Sequence, residues 1–152
     1  MKKTVIILFA LLTIMCVTGC SKKELKVADD EIGLAVDISG IADPVYRADI
    51  EYMLKGELMG GLATSHTDES VMKEQIVFTL DKHSFPEDSP TKDFTFFVVL
   101  SGDKKGIKDL FSSAEKLNHS NECEVFEPQY GTIYYFTVSG NYEDGFVLKE
   151  KK

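Results

Sequence analysis

Apolar side chains recur at every second position through most of the chain after residue 31. "IGLAVDIS" sets Ile32, Leu34, Val36 and Ile38 on one side, and "VYRADIEYML" sets Tyr46, Ala48, Ile50, Tyr52 and Leu54 opposite Arg47, Asp49 and Glu51. A period of two is the signature of a half-buried strand. "KGEL" predicts a turn, and "LMGGLAT" a short return strand weakened by its glycines. "EQIVFTL" carries Ile76, Phe78 and Leu80 in the same alternation, whereas "DFTFFVVLS" is apolar on both faces and predicts a central strand. "ECEVFE", "GTIYYFTVSG" and "GFVLKE" complete the series, and Asp43–Pro44, "FPEDSP", "SGDKKG" and "NYEDG" punctuate it with turn residues. About seven short strands separated by turns predict a mostly β chain folded as an antiparallel β-sandwich over residues 32–150. One stretch breaks the period: "IKDLFSSAEKLN" places Ile107, Leu110, Phe111, Ala114 and Leu117 at helical spacing, which predicts a short amphipathic helix near 107–117. The alternative architecture is α+β, with that helix across one face of a mixed sheet.

The N-terminal pattern is of a different kind. Lys2 and Lys3 precede thirteen apolar or near-apolar positions, Val5 to Val17. As a helix that run would reach about 20 Å, against roughly 30 Å of bilayer hydrocarbon. It has the layout of a secretory signal, with a basic start, a short apolar stretch and small residues at its end. The ending Val17-Thr18-Gly19-Cys20 resembles the lipobox of bacterial lipoproteins, with Val17 standing where Leu is commonest in that family. The resemblance covers residues 1–20. It implies a signal peptide over 1–19, cleavage between Gly19 and Cys20, and a diacylglycerol thioether on Cys20, usually with an acylated N-terminus. Ser21 stands where the family's Gram-negative sorting pattern reserves Asp for inner-membrane retention, which implies the outer membrane; in a Gram-positive cell the same chain would stay on its only membrane. The alternative is an uncleaved signal-anchor. Residues 20–31 then read as the lipidated cysteine and a polar tether, with Lys22, Lys23 and Lys26 placed first and Asp29–Asp30–Glu31 after them.

Cleavage changes the charge. Without residues 1–19 the chain has 133 residues, 15 basic against 25 acidic, a net charge of −10. Such a surface repels nucleic acid and anionic lipid headgroups, and suits a cationic partner. It also changes the cysteine count: Cys16 departs and Cys20 is lipidated, so Cys123 stands alone and no internal disulfide forms. Flanked by Glu122 and Glu124, Cys123 has the setting of a structural buried thiol and not of a nucleophile.

No catalytic, metal or phosphate motif stands out. His66, His83 and His119 are scattered without ligand spacing. There is no G-x-S-x-G elbow, and His66, Asp68 and Ser70 in "HTDES" are too local to aim at one another. Asp29–Asp30–Glu31, Glu87–Asp88 and Asn141–Glu143–Asp144 lack the order of an EF-hand loop, and "NYEDG" fits a hairpin turn. No cofactor is expected. "FEPQYGTIYYFTVSGNYEDGF" resembles the last hairpin of immunoglobulin-like and transthyretin-like bacterial domains through Pro128, Gly131, Tyr135 and Thr137, which implies an immunoglobulin-like sandwich and supports no particular activity. Within it Ile133 and Tyr135 share one face and Tyr134 and Phe136 the other. One face must be core; Tyr134 and Phe136 are the candidate exposed binding patch.

Two functional expectations follow. The first is a membrane-anchored envelope lipoprotein at the cell membrane or outer membrane, held to the bilayer by its N-terminal lipid. It would be a non-catalytic binding or accessory module for an envelope protein or glycan. The second is a small envelope hydrolase whose site is assembled from scattered Asp, Glu, His or Ser.

Overall fold

Strict alternation from Arg47 to Leu54 becomes a strand that buries Ala48, Ile50, Tyr52 and Leu54 and leaves the intervening residues half-exposed. The same logic runs through the computed structural model, which describes residues 25–65, 70–85, 93–103 and 117–152. Its strands are β1 (Glu31–Asp37), β2 (Arg47–Leu54), β3 (Glu57–Ser65), β4 (Gln75–Asp81), β5 (Phe94–Ser101), β6 (Leu117–His119), β7 (Cys123–Val125), β8 (Thr132–Asn141) and β9 (Gly145–Glu150), with one 3-10 turn at Lys82–Ser84. The chain is mostly β, in two facing sheets. One has the order β4-β1-β8-β9; the other has β3-β2-β5, with β6 and β7 both paired along the free side of β5.

The strand expected at "ECEVFE" is β7, and the strand not expected is β6, whose three residues are too short to show a period. The sandwich is present as expected, with a departure from antiparallel pairing between two of its described strands. β1 lies parallel to β8, matching Leu34 to Tyr134 and Val36 to Phe136. Nothing in a two-residue period encodes a partner or its direction, so this pairing was invisible in the sequence. Residues 107–116 of the expected helix lie outside the described residues. Its last position, Leu117, instead opens β6, where residues 117–119 pair antiparallel with Val99–Ser101 and ladder hydrogen bonds replace helical ones.

The turn at Lys55–Gly56 has φ of 52° and 79°. Positive φ at both central residues is the mirror-image turn whose twist suits a hairpin. The expected weak return strand is nine residues long. At the other hairpin, Asn141 organises the β8–β9 turn by accepting from the Glu143 and Asp144 amides at 2.8 and 2.7 Å and donating to the Asp144 carboxylate at 2.9 Å. Gly140 has φ of 118°, and a Cβ there would collide with the Gly145 carbonyl oxygen.

Aromatic rings join the sheets. Phe96 of β5 meets Phe136 of β8 edge-on, with ring centroids 4.8 Å apart. Phe85, just after the 3-10 turn, packs on Phe94 at 5.7 Å. Tyr52 joins both Phe85 and Phe94, and its hydroxyl donates to the Ser84 carbonyl at 3.2 Å. Ser120 and Asn121 close one margin. Ser120 exchanges bonds with the Val98 backbone, and the Asn121 amide both accepts from and donates to the Leu148 backbone, at 2.8 and 3.2 Å. That side chain behaves as a one-residue strand on the open edge of β9.

Candidate binding surface

The two faces of β8 have opposite fates. Phe136 is 1 % exposed and Tyr134 packs against the core, its hydroxyl accepting from the Gln129 amide at 2.9 Å. The expected patch of Tyr134 and Phe136 is therefore corrected: the register with β1 points both toward the opposite sheet. Ile133 and Tyr135 face outward instead. Tyr135 lies beside Ala35 in register, and Ala35 lies beside Val77 of β4. Val147 of β9 pairs with Ser139 on the same side. Val77, Ala35 and Tyr135 form an apolar row across three strands, and Val147 stands apart from it beyond the polar row of Gln75, Asp37, Thr137 and Lys149. Val77, Tyr135 and Val147 are 36 %, 39 % and 43 % exposed. Their sequence signal was the apolar residue opposite the core side in "QIVFTLD" and "GFVLKE", which the period alone could not separate from ordinary surface.

The segment preceding β1 completes this face. The Glu31 amide donates to the Ala28 carbonyl, and the Ala28 amide donates to the Glu31 carboxylate, both at 3.0 Å. This turn reverses the chain, so residues 25–27 run back over the sheet. A Cβ on Gly33 would lie 2.9 Å from both Val27 and Ile133, so the missing side chain is what lets Val27 settle there. Leu25, Lys26 and Val27 on one side and Gly131, Ile133 and Tyr135 on the other bound an open groove of about 400 Å³. Residues 25–27 of the expected tether thus pack over the sheet, which begins at Glu31. Gly19 and Cys20 lie outside the described residues.

Lysines border the apolar row. Lys149 pairs with Thr137. The Lys151 amide donates to the Tyr135 carbonyl, and its ammonium lies 3.9 Å from the Asp37 carboxylate. Asp37 sits below the ordinary aspartate value, chiefly through hydrogen bonds from Ser39, with Lys151 adding a smaller pull.

The other candidate groups stay apart. His83 is exposed in the 3-10 turn, whose amides at His83 and Ser84 both donate to the Asp81 carboxylate at 3.0 Å. His119 is exposed on β6, its ring 5.2 Å from Phe97. His66, Asp68, Glu87 and Asp88 lie outside the described residues. Among the described residues, no group of three or more His, Cys, Asp or Glu is placed to hold a metal ion. Cys123 is half-buried, against the expected full burial, and its thiol is pushed up. Burial is the main cause; the Glu150 and Glu124 charges add to it, while a hydrogen bond with the Glu150 backbone pulls the other way. Glu150 reaches Cys123 because β9 lies close to β7, which no local reading reveals.

A second groove of about 400 Å³ lies at the end of the sandwich where β1 finishes, between Ile38, Ile41, Pro44 and Met72. Tyr142 closes its margin, donating from its hydroxyl to the Pro44 carbonyl at 3.3 Å and from its amide to Asp43 at 3.2 Å. Burial, then the Asp43 charge, push the Tyr142 phenol above its ordinary value.

No protein family matches this sequence, and no curated protein matches it. Among solved structures, the chain is similar to the 5-hydroxyisourate hydrolase of Klebsiella pneumoniae, at a TM-score of 0.39 and 8 % identity, over 81 % of this chain and 99 % of that one. It is also similar to a disulfide-locked mutant of intermedilysin with human CD59, at a TM-score of 0.31 and 10 % identity, over 80 % of this chain and 24 % of that one. Likeness at this level carries no functional argument.

Proposed function

We propose that this chain is a membrane-anchored envelope lipoprotein, cleaved after Gly19 and lipidated on Cys20, whose β-sandwich serves as a non-catalytic binding or accessory module. The observation that carries this reading is Val17-Thr18-Gly19-Cys20 at the end of a basic, then apolar, leader. Two or three acyl chains on one residue hold a protein to a bilayer, where a single chain holds it only marginally. The net charge of −10 after cleavage favours a cationic partner among envelope proteins or glycans. No observation among the described residues favours the hydrolase reading.

The test is mass spectrometry of the protein purified from native membranes. A chain beginning at Cys20, heavier by a diacylglycerol and usually one further acyl group, is the expected result. Cys20→Ser should accumulate as an uncut precursor. A bare Cys20 thiol, or residues 1–19 still attached to a membrane-held protein, overturns the reading.

A further inference from the structure

We propose that the open face of the β4-β1-β8-β9 sheet lies flat on the phospholipid bilayer, a docking surface that rests on the lipid anchor proposed above. The first argument is where the tether leaves the domain. The Ala28–Glu31 turn folds residues 25–27 back across the sheet, so the chain departs from the middle of this face and not from the end of the sandwich. From Cys20 to Leu25 is five residues, which span at most about 17 Å fully extended. A domain of this size is roughly 35 Å across. A tether that short holds the face it leaves from toward the membrane and keeps the outer side of the other sheet away from it.

The second argument is the chemistry of that face. Leu25, Val77, Tyr135 and Val147 expose between 36 % and 43 % of their surface on one side of one sheet. Tyrosine is enriched where apolar and polar media meet, because one end of the ring is dry and the other wet. The third argument is charge. Lys26, Lys149 and Lys151 border the apolar row, and Lys22 and Lys23 lie in the tether itself. Of the acidic groups on this side, Asp37 is held by Ser39 and Lys151, Glu31 by the Ala28 amide and Asp81 by the 3-10 turn, while Asp29 and Asp30 are exposed in the turn that leads into β1. In a chain of net charge −10, these lysines are the groups on this face that an anionic headgroup layer attracts. Interfacial binding draws on these two contributions, buried apolar area and attraction to anionic lipid. The lipid then fixes the distance and the face fixes the orientation, which leaves the outer side of the β3-β2-β5 sheet for a partner.

The unsubstituted lipidated protein, reconstituted in vesicles of phosphatidylethanolamine and phosphatidylglycerol that carry a phospholipid with a diazirine near its headgroup, tests this. After photolysis, peptides are sequenced by mass spectrometry. Label on peptides holding Leu25, Tyr135 and Val147 should exceed that on the peptide holding Leu58 and Met59 by at least about threefold, as a face lying about 5–10 Å into the headgroup boundary would give. Equal or reversed labelling in a protein that floats with the vesicles overturns the docking and leaves the anchor standing. Absence of label from this face in a protein that is dimeric on the vesicle assigns the face to a second copy and overturns it too. A protein that does not float at all overturns the anchor and the docking together.

Discussion

Tyr135 and Phe136 are neighbours on one strand, and they divide the molecule into two regions. Phe136 enters a closed aromatic core that binds the two sheets together; Tyr135 is exposed on the outer face of its sheet, in one row with the exposed Val77 across the buried Ala35. The residue types are alike and the surroundings are not. Inside, rings meet edge to face, and the polar tips of Tyr52 and Tyr134 find backbone partners. Outside, that face is bordered by lysines and by a tether that folds back over it. Composition therefore does not separate a packing surface from a docking surface. Closure by a second sheet does.

The comparison breaks most sharply if the core side is emptied. Phe136→Ala should cost about 3–5 kcal/mol, the usual loss when a fully buried aromatic leaves a cavity, read from urea unfolding followed by circular dichroism. A loss no larger than that of Tyr135→Ala would mean that the two faces of β8 are not distinct. Gly140→Ala comes next. Its φ of 118° and the collision with the Gly145 carbonyl should cost on the order of 1–3 kcal/mol, and the same unfolding measurement should show it. Asn121→Ala leaves the Leu148 amide and carbonyl without their side-chain partners at 2.8 and 3.2 Å, which should cost about 1–2 kcal/mol. Hydrogen exchange should speed up at Leu148 and not at Leu34, which lies between two strands, and unchanged exchange at Leu148 would dismiss Asn121 as its edge guard.

How far the sequence reached follows the same division. β2 and β4 were legible because each buries one face only, and their alternation maps directly onto Ala48, Ile50, Tyr52, Leu54 and onto Ile76, Phe78, Leu80. β5 was legible as central because both of its sides are apolar. β8 was legible as a strand and not as an orientation. Each of its faces carries an aromatic residue, so the choice of Tyr134 and Phe136 as the outer patch had no local support, and pairing with β1 about 100 residues earlier decided it. The candidate surface was hidden for a related reason. Leu25, Val77, Tyr135 and Val147 come from four segments, and each alone reads as an ordinary exposed apolar residue. Gly33 of β1 is the gap into which Val27 fits.

Two small effects sharpen the contrast from the open side. Tyr135→Ser should change stability by less than about 1 kcal/mol, the range of a cross-strand pair on an exposed face. The smaller effect is that of pH at Asp37, on the same face. Its carboxylate accepts from the Ser39 amide at 2.9 Å and lies near Lys151, and both hold its pKa below the ordinary aspartate value. A group depressed by folding stabilises the native state above its unfolded pKa, and that contribution fades as pH falls through the folded one. Unfolding midpoints of the unsubstituted protein and Asp37→Asn should therefore differ most near neutral pH and converge in the acid range below the ordinary aspartate value. The gap should be small, because an ion pair with a half-exposed lysine is weak and salt-screened. A gap that widens on acidification would reverse the sign and place the Ser39 hydrogen bonds with the protonated acid. A gap as large as that of Phe136→Ala would mean that the outer face, held here by one turn and one lysine, is as tightly built as the core behind it.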